Sequence, residues 1–209
     1  MTSNSSQSEH NEKMDIDSTS NSDVKLKPGI GIDLGTTFSS IAKKSNEETK
    51  ATLIETEDGL TYIPSKLLIA ENGTVQLLQE DMEIDDGIIV YDIKRHIGRK
   101  YHEIKEELSI ANYPYPIEID NEGVKYRIHA ASYTPIELTS YIIGELKSCI
   151  ESKWHNKTNK QQYPGRVVIT VPSYFDAIQK KATLTAGIVF LFTFDPYRNA
   201  LFMRKCVNC

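Results

Sequence analysis

The segment Asp33-Leu-Gly-Thr-Thr37 combines the residue types that a nucleoside triphosphate needs around its phosphates. Phosphates are bound by backbone N–H groups, by hydroxyl donors and by small residues that allow close approach, together with a divalent cation. Gly35 supplies the close approach, and the two threonines supply N–H and O–H donors. Asp33 can hold Mg²⁺ indirectly, through water molecules that coordinate the ion. The alternative is an ordinary hairpin whose turn happens to read Gly-Thr-Thr, and the Gly-Lys-Ser/Thr ending of a Walker loop is absent.

The surrounding pattern predicts the elements that must position this segment. Residues 29–34 alternate small or polar with apolar residues and residues 38–43 read as a returning strand, so the segment forms the tip of a β-hairpin. Thr134-Pro-Ile-Glu137 begins a helix with a capping box. Further strands are predicted at 51–55, 63–70, 74–77, 114–120, 124–129 and 166–171, the last buried on both faces, and helices at 90–100, 134–154 and 176–186. The final alternation of helix, strand and helix is typical of an α/β layer fold.

The hairpin sequence Gly31-Ile-Asp-Leu-Gly-Thr-Thr-Phe-Ser-Ser40 resembles the first phosphate motif of the actin-like ATPases, and most closely that of the heat-shock protein 70 family. The resemblance implies a metal role for Asp33 and contact with the nucleotide for Gly35, Thr36, Thr37 and Phe38. Phe38 stands where the family usually has tyrosine. Sugar kinases of the same superfamily share the Asp-x-Gly-Thr core, so this motif alone does not distinguish the two.

Two further segments favour the chaperones. Tyr91-Asp-Ile-Lys-Arg-His-Ile-Gly-Arg99 resembles the family's lysine segment, and Lys94 matches the catalytic lysine that projects toward the γ-phosphate and the attacking water. Val167-Val-Ile-Thr-Val-Pro-Ser-Tyr-Phe-Asp176 resembles a segment whose proline, with a basic residue in the next helix, relays nucleotide state between domains. Pro172 and Lys180 occupy those positions, although lysine loses the bidentate geometry of the usual arginine. Without this context, the same residues fit a solvated basic helix end and an ordinary strand terminator.

The resemblance extends over about residues 29–187 and implies an α/β fold. The expected architecture is the first lobe of an actin-like (ribonuclease H-like) ATPase domain, with a mixed sheet and flanking helices. It is expected to be incomplete, because the family's second phosphate loop, adenosine-binding segment and peptide-binding domain are not found in the sequence. The expected organisation is a disordered polar tail at 1–27, a partial nucleotide-binding domain at 28–187 and an aberrant, poorly packed tail at 188–209.

The function implied by the resemblance is that of an ATP-dependent molecular chaperone that uses ATP and Mg²⁺. Its implied partners are unfolded polypeptide clients, J-domain co-chaperones and nucleotide-exchange factors. The chain alone is expected to be inactive as an ATPase, because only the first phosphate hairpin is present. One alternative is a non-enzymatic remnant or interaction module built from one lobe. A sugar kinase of the same superfamily is a third possibility, which the Lys94 and Pro172 segments disfavour.

Net charge, apolar stretches and cysteine content limit the partners and the cellular compartment that we expect for this chain. The formal net charge of -5 and the pI of about 5.6 argue against a nucleic-acid binder, which normally presents a basic face. The apolar stretch at 188–192 is too short to span a bilayer, and the N-terminus carries no apolar signal region. The three cysteines suggest no disulfide framework, and Cys206 and Cys209 have the spacing of only half a zinc site. We therefore expect a cytoplasmic protein without membrane or nucleic-acid partners.

Overall fold

The computed structural model describes residues 29–45, 48–79, 82, 84, 86–120, 123–153, 166–191 and 200–205. The strands are β1 (Gly29–Asp33), β2 (Phe38–Lys44), β3 (Thr52–Leu53), β4 (Ile63–Pro64), β5 (Leu67–Ala70), β6 (Val75–Leu77), β7 (Gly87–Val90), β8 (Ile117–Asp120), β9 (Gly123–Ile128), β10 (Ala131–Tyr133), β11 (Arg166–Val171) and β12 (Ala200–Lys205). The helices are α1 (Ile93–His96), α2 (Tyr101–Ile110), α3 (Pro135–Lys153) and α4 (Ala177–Leu191). The predicted tail at 1–27, the cysteines at 206 and 209 and the predicted helix end at 154 lie outside the described residues.

A mixed sheet forms the centre of the structure. Its strands lie in the order β12-β11-β1-β2-β3, and β4 also pairs with β2. β1 runs parallel to β11 and antiparallel to β2. Alternate residues of β1 and β11 are buried, because a strand that is covered mainly on one face turns every second side chain toward the core. The mixed sheet with flanking helices confirms the predicted fold class, whereas the prediction that 166–171 is buried on both faces is wrong.

Two smaller antiparallel sheets complete the β structure. One has the order β6-β5-β7, and the other has the order β10-β9-β8. Strand β5 is buried along most of its length, and β9 buries Val124, Tyr126 and Ile128 at alternate positions. The predicted strand at 63–70 is divided at Ser65, since β4 joins the central sheet while β5 belongs to a different sheet.

The long helices α3 and α4 pack against each other, and α4 also contacts β11. The predicted capping box is present at the start of α3. The hydroxyl of Thr134 accepts a hydrogen bond from the N–H of Glu137 at 3.2 Å, and the Glu137 carboxylate accepts one from the N–H of Thr134 at 2.7 Å. The apolar stripe of α3 is buried at Leu138, Ile142 and Leu146. Among the described residues, no helix combines the length and apolar character that crossing a bilayer requires.

The single helix predicted at 90–100 is wrong. The structure has the end of β7, then the four-residue helix α1, a turn at Gly98 and the ten-residue helix α2, which does not follow from the sequence pattern. Gly98 adopts a φ of 70°, and a Cβ atom there would lie 2.6 Å from the Cα of Gln179 in α4. The close approach of the turn to the start of α4 therefore ends α1 early.

The segment after Gly187 agrees with the expectation at its start and differs from it further along the chain. Helix α4 continues to Leu191 with Ile188 and Val189 exposed, and β12 pairs in parallel with β11. Ile188 and Val189 therefore fit the expectation of a poorly packed tail, whereas the backbone pairing of β12 does not. The parallel register of β12 extends the central sheet by one strand beyond the predicted domain boundary.

Candidate functional site

The tip of the β1–β2 hairpin is shaped by Gly35. A Cβ atom at this position would lie 1.8 Å from the carbonyl oxygen of Phe38, so a side chain cannot fit without changing the turn. Leu34 is buried beneath the tip, whereas Thr37 and Phe38 are exposed and Thr36 is half-buried. The tip therefore presents a small residue and two hydroxyl groups near solvent, as close approach to a phosphate requires.

Two buried serines form hydrogen bonds with the backbone of this tip. The hydroxyl of Ser39 accepts a hydrogen bond from the N–H of Gly35 at 3.2 Å and lies 2.8 Å from the hydroxyl of Ser65. The N–H of Ser65 donates to the carbonyl oxygen of Thr37 at 2.8 Å. Both serines are almost completely buried, and buried hydroxyls are stable only when they are hydrogen-bonded. The serine pair therefore fixes the turn before any ligand arrives.

Asp33 lies at the carboxyl end of β1, opposite Thr170 of the parallel strand β11. The Thr170 hydroxyl donates a hydrogen bond of 2.6 Å to Asp33 Oδ1, and the aspartate is exposed. Because the carboxyl ends of parallel strands meet at one edge of a sheet, residues that are far apart in sequence meet here. The hydrogen bond orients the carboxylate at the same edge as the hairpin tip.

Lys94 reaches the hairpin from α1. Its ammonium group donates a hydrogen bond to the carbonyl oxygen of Leu34 and lies 5.8 Å from the ring centroid of Phe175. The contact with Leu34 places the charge beside Gly35, at the tip of the hairpin, and the contact with the buried aromatic ring adds a cation–π interaction. The structure therefore brings together Lys94, the hairpin tip and the edge that carries Asp33.

A cavity of about 500 Å³ lies beside this lysine. It is lined by Thr36, Lys94, Arg95, Arg99, Glu107, Tyr174, Phe175 and Gln179. Glu107 pairs with Arg99 at 2.9 Å and with Arg95 at 4.0 Å. Three cationic side chains face one carboxylate, so the cavity has an excess of positive charge that favours an anionic ligand.

The two predicted switch residues lie apart from this cavity lining. Pro172 is buried where β11 ends, and its carbonyl oxygen accepts a hydrogen bond from the N–H of Phe175 at 3.2 Å. Lys180 is half-buried in the first turn of α4 and forms no ion pair with the described residues. Pro172 therefore ends the strand and shapes the turn that carries Phe175. A relay through Pro172 and Lys180 stays a prediction.

Several residues of the site were not singled out from the sequence. Phe175 beneath the ammonium of Lys94 and Thr170 beside Asp33 lie inside a recognised segment, but their contacts depend on the parallel pairing of distant strands. Ser39 offered a local signal, because a serine at a core-facing position of a strand needs a hydrogen-bond partner. That signal predicts a polar contact without identifying Ser65 as the partner.

A buried histidine lies two residues after Lys94. His96 Nδ1 is 2.6 Å from the hydroxyl oxygen of Tyr126, and Nε2 has no hydrogen-bond partner among the described residues. The ring is packed among aromatic side chains, with centroids 5.7 Å from Tyr113 and 5.9 Å from Tyr126. Burial is the main cause that lowers the pKa of His96, so the neutral imidazole is the form that the fold favours.

Stability is expected to decrease in mild acid because of His96. Below the ordinary pKa of 6.5, the unfolded chain takes up a proton that the folded chain resists. The contribution of the neutral His96 to the free energy of unfolding is therefore complete above pH 6.5. It is lost as the pH falls toward the lower pKa of His96 in the folded state. Between pH 6.5 and 5.5 the loss should reach up to about 1 kcal/mol of unfolding free energy.

Urea denaturation at several pH values measures this loss. His96→Leu should remove that part of the pH dependence, whereas the matched variant His102→Leu, which changes an exposed histidine of α2, should keep it. Equal pH slopes for the wild type and His96→Leu would contradict the expectation.

Within the part of the chain that the structure describes, no three His, Cys, Asp or Glu side chains are grouped as a metal site. A cation held at Asp33 would therefore need water and ligand oxygens for most of its coordination. Mg²⁺ commonly binds in this way, through one or two carboxylates together with waters and substrate phosphates. Asp33 is exposed at the same sheet edge as the hairpin tip, and Thr36 of that tip lines the cationic cavity, so the residues present fit that donor set.

Comparison with known proteins identifies relatives of this chain. Residues 29–190 match the family model described as "Hsp70 protein". The chaperone protein dnaK of Cyanidioschyzon merolae is 32% identical over 165 residues, which is 76% of this chain and 25% of the relative. The chain thus spans about a quarter of the length of this curated relative.

Proposed function

The chain belongs to the Hsp70 family, and we propose that its described residues form one side of the MgATP site of an ATP-dependent chaperone. The observation that carries the proposal is the hydrogen bond from the Lys94 ammonium to the carbonyl oxygen of Leu34. That contact supports a shared site for two segments 60 residues apart, each of which resembles a nucleotide-handling motif. Membership in this family of chaperones also disfavours the sugar-kinase alternative.

In the proposed site, the phosphates lie against the tip of the hairpin. The backbone of Gly35 admits a phosphate at close range, and the N–H and O–H groups of Thr36 and Thr37 donate hydrogen bonds to its oxygens. Phe38, which is 54% exposed, contacts the nucleotide from the next position. Mg²⁺ would be held by Asp33 through water and would neutralise phosphate charge.

The proposed role of Lys94 is to stabilise charge on the γ-phosphate and to orient the attacking water. The ammonium group lies at the end of a side chain held by Leu34 and Phe175, so it does not need to be ordered when the nucleotide binds. Preorganised charge of this kind lowers the barrier because the group interacts more strongly with the transition state than with the bound substrate. Arg95 and Arg99 extend the cationic surface of the cavity.

Other parts of the proposal rest on the family alone. In a complete chaperone, Pro172 and Lys180 would relay the nucleotide state between domains. Unfolded polypeptides would be the clients, and J-domain co-chaperones and nucleotide-exchange factors would be the partners. A cytoplasmic location is consistent with this set of partners. These assignments apply to a full-length chaperone, and the chain spans about a quarter of the length of its dnaK relative.

The chain by itself is expected to bind MgATP weakly. The described groups approach the phosphates from one side, and each neutral hydrogen bond contributes only about 0.5–1.5 kcal/mol against water. Association costs an estimated 4 kcal/mol or more in lost translational and rotational freedom. The remaining free energy corresponds to a dissociation constant of about 1 mM.

Titration of the 209-residue chain with MgATP tests the proposal. Amide NMR signals of Gly35, Thr36 and Thr37 should shift, and Asp33→Asn should weaken the Mg²⁺-dependent part of the effect. The matched variant Asp58→Asn, which changes an exposed turn residue, should behave like the wild type. Absence of shifts at the hairpin tip at ~10 mM MgATP, well above the expected dissociation constant, would contradict the proposal.

A further inference from the structure

Helix α1 is too short and too weakly capped to be stable without contacts to the rest of the fold. It contains four residues, far fewer than an isolated helix needs to be stable in water. Its N-cap, Asp92, has a φ of 59° and makes no side-chain capping hydrogen bond. A left-handed conformation at a residue other than glycine persists only when the surroundings stabilise it. Because α1 carries Lys94, whatever holds this helix also sets the position of the ammonium group.

The first support comes from Tyr115. Its hydroxyl oxygen accepts a hydrogen bond from the N–H of Tyr91 at 3.2 Å and donates one to the carbonyl oxygen of the same residue at 3.1 Å. Tyr91 immediately precedes Asp92, so this hydroxyl fixes the backbone just before the helix begins. The ring of Tyr115 is only 4% exposed, and its own position is therefore set by packing.

The second support comes from Tyr126 in β9. Its hydroxyl lies 2.6 Å from Nδ1 of His96, the last residue of α1, and the side chains of both residues are completely buried. Ile93 and Ile97 are buried on either side of this contact. The two tyrosine hydroxyls thus contact the backbone before α1 and the side chain at its end.

The supporting rings also contact one another. The ring centroids of Tyr113 and Tyr115 are 5.5 Å apart, and those of Tyr115 and Tyr126 are 5.7 Å apart. Burial raises the pKa values of Tyr115 and Tyr126 well above the ordinary value for tyrosine. The hydroxyls therefore keep their protons, and their hydrogen bonds, throughout the neutral pH range.

We propose that Tyr115 and Tyr126 are positioning residues that hold the two ends of α1, so that the ammonium group of Lys94 stays at the hairpin tip. Neither tyrosine lines the cavity beside Lys94, so each acts through α1 and not by touching a ligand there. The importance of this position for catalysis rests on the proposed function, whereas the positioning itself does not.

The test measures the chemical reactivity of individual lysines in the 209-residue chain without nucleotide. Acetic anhydride at low dose acetylates each amine in proportion to its accessibility and freedom, and mass spectrometry quantifies each site. In Tyr115→Phe and Tyr126→Phe, the ring remains and only the hydroxyl is lost. Acetylation of Lys94 should increase about two- to tenfold, the range set by loss of one ordinary hydrogen bond. Lys100 and Lys181 should not change.

Tyr62→Phe is the matched control, because Tyr62 is 58% exposed and far more accessible than either positioning tyrosine. Unchanged acetylation of Lys94 in both variants would overturn the proposal. A uniform increase at all three lysines would also overturn it, since the hydroxyls would then maintain the fold as a whole. A selective increase at Lys94 in a protein whose hairpin signals do not respond to MgATP would support the positioning role while rejecting the proposed function.

Discussion

Replacing Lys94 with alanine is expected to lower the rate of ATP hydrolysis about 100- to 1,000-fold, while ATP affinity changes little. The measurement requires a complete site, such as a chimera that joins residues 29–187 of this chain to the remaining parts of a complete Hsp70 relative. The ammonium group would interact most strongly with charge that develops at the γ-phosphate in the transition state. Loss of one such contact typically costs this factor in turnover.

Single-turnover kinetics separate the chemical step from nucleotide binding and product release. The parent chimera must hydrolyse ATP, and Lys100→Ala should retain its rate, because Lys100 is exposed and does not line the cavity beside Lys94. A single-turnover rate that is the same with and without the Lys94 side chain would remove Lys94 from the proposed catalytic machinery. A loss confined to affinity would assign the residue to binding alone.

The second large effect is expected from Gly98→Ala, which should destabilise the fold by about 2–5 kcal/mol. Alanine at a left-handed φ costs roughly 1–2 kcal/mol. The added methyl group would also lie 2.6 Å from the Cα of Gln179, and overpacking against backbone typically costs a further ~1–3 kcal/mol. Domains are stable by only ~5–15 kcal/mol, so the loss is a large fraction of the total.

Gly73→Ala is a close control for this prediction. Gly73 has a φ of 84°, but a methyl group added there would have no neighbouring atom within 4 Å, so this variant should show the backbone cost alone. Urea or thermal denaturation of the two variants therefore separates conformational strain from steric overlap. Equal losses of stability in the two variants would show that the contact between the turn and α4 relaxes freely.

The local parts of the fold were predictable because their signals are local. The hairpin around Gly35 and the capping box of Thr134 and Glu137 both depend on residues within a few positions of each other. The start of α4 also depends on a short-range contact, because the Asp176 carboxylate accepts a hydrogen bond from the N–H of Gln179 at 2.8 Å. Such short-range patterns can be recognised without knowing the tertiary structure.

The parts that sequence analysis missed depend on tertiary contacts. The short length of α1 follows from the packing of Gly98 on α4, and no residue within 90–100 reveals that neighbour. Helix α2 buries only Ile104 completely, so its apolar face is too narrow to give a clear helical period. The prediction for Asp33 came from residue types and motif resemblance, and that for Lys94 came from motif resemblance alone. Their contacts with Thr170, Tyr115 and Tyr126 required the structure.

The parallel pairing of β1 with β11 has a consequence for folding during synthesis on the ribosome. Asp33 and its partner Thr170 are separated by 137 residues, so the hairpin is synthesised long before the strand that completes its sheet. At typical synthesis rates of ~5–20 residues per second, the delay is about 7–27 s. During that interval β1 has an open edge with unpaired backbone groups, which is a surface prone to aggregation. A member of a chaperone family would therefore itself need protection from aggregation during its synthesis.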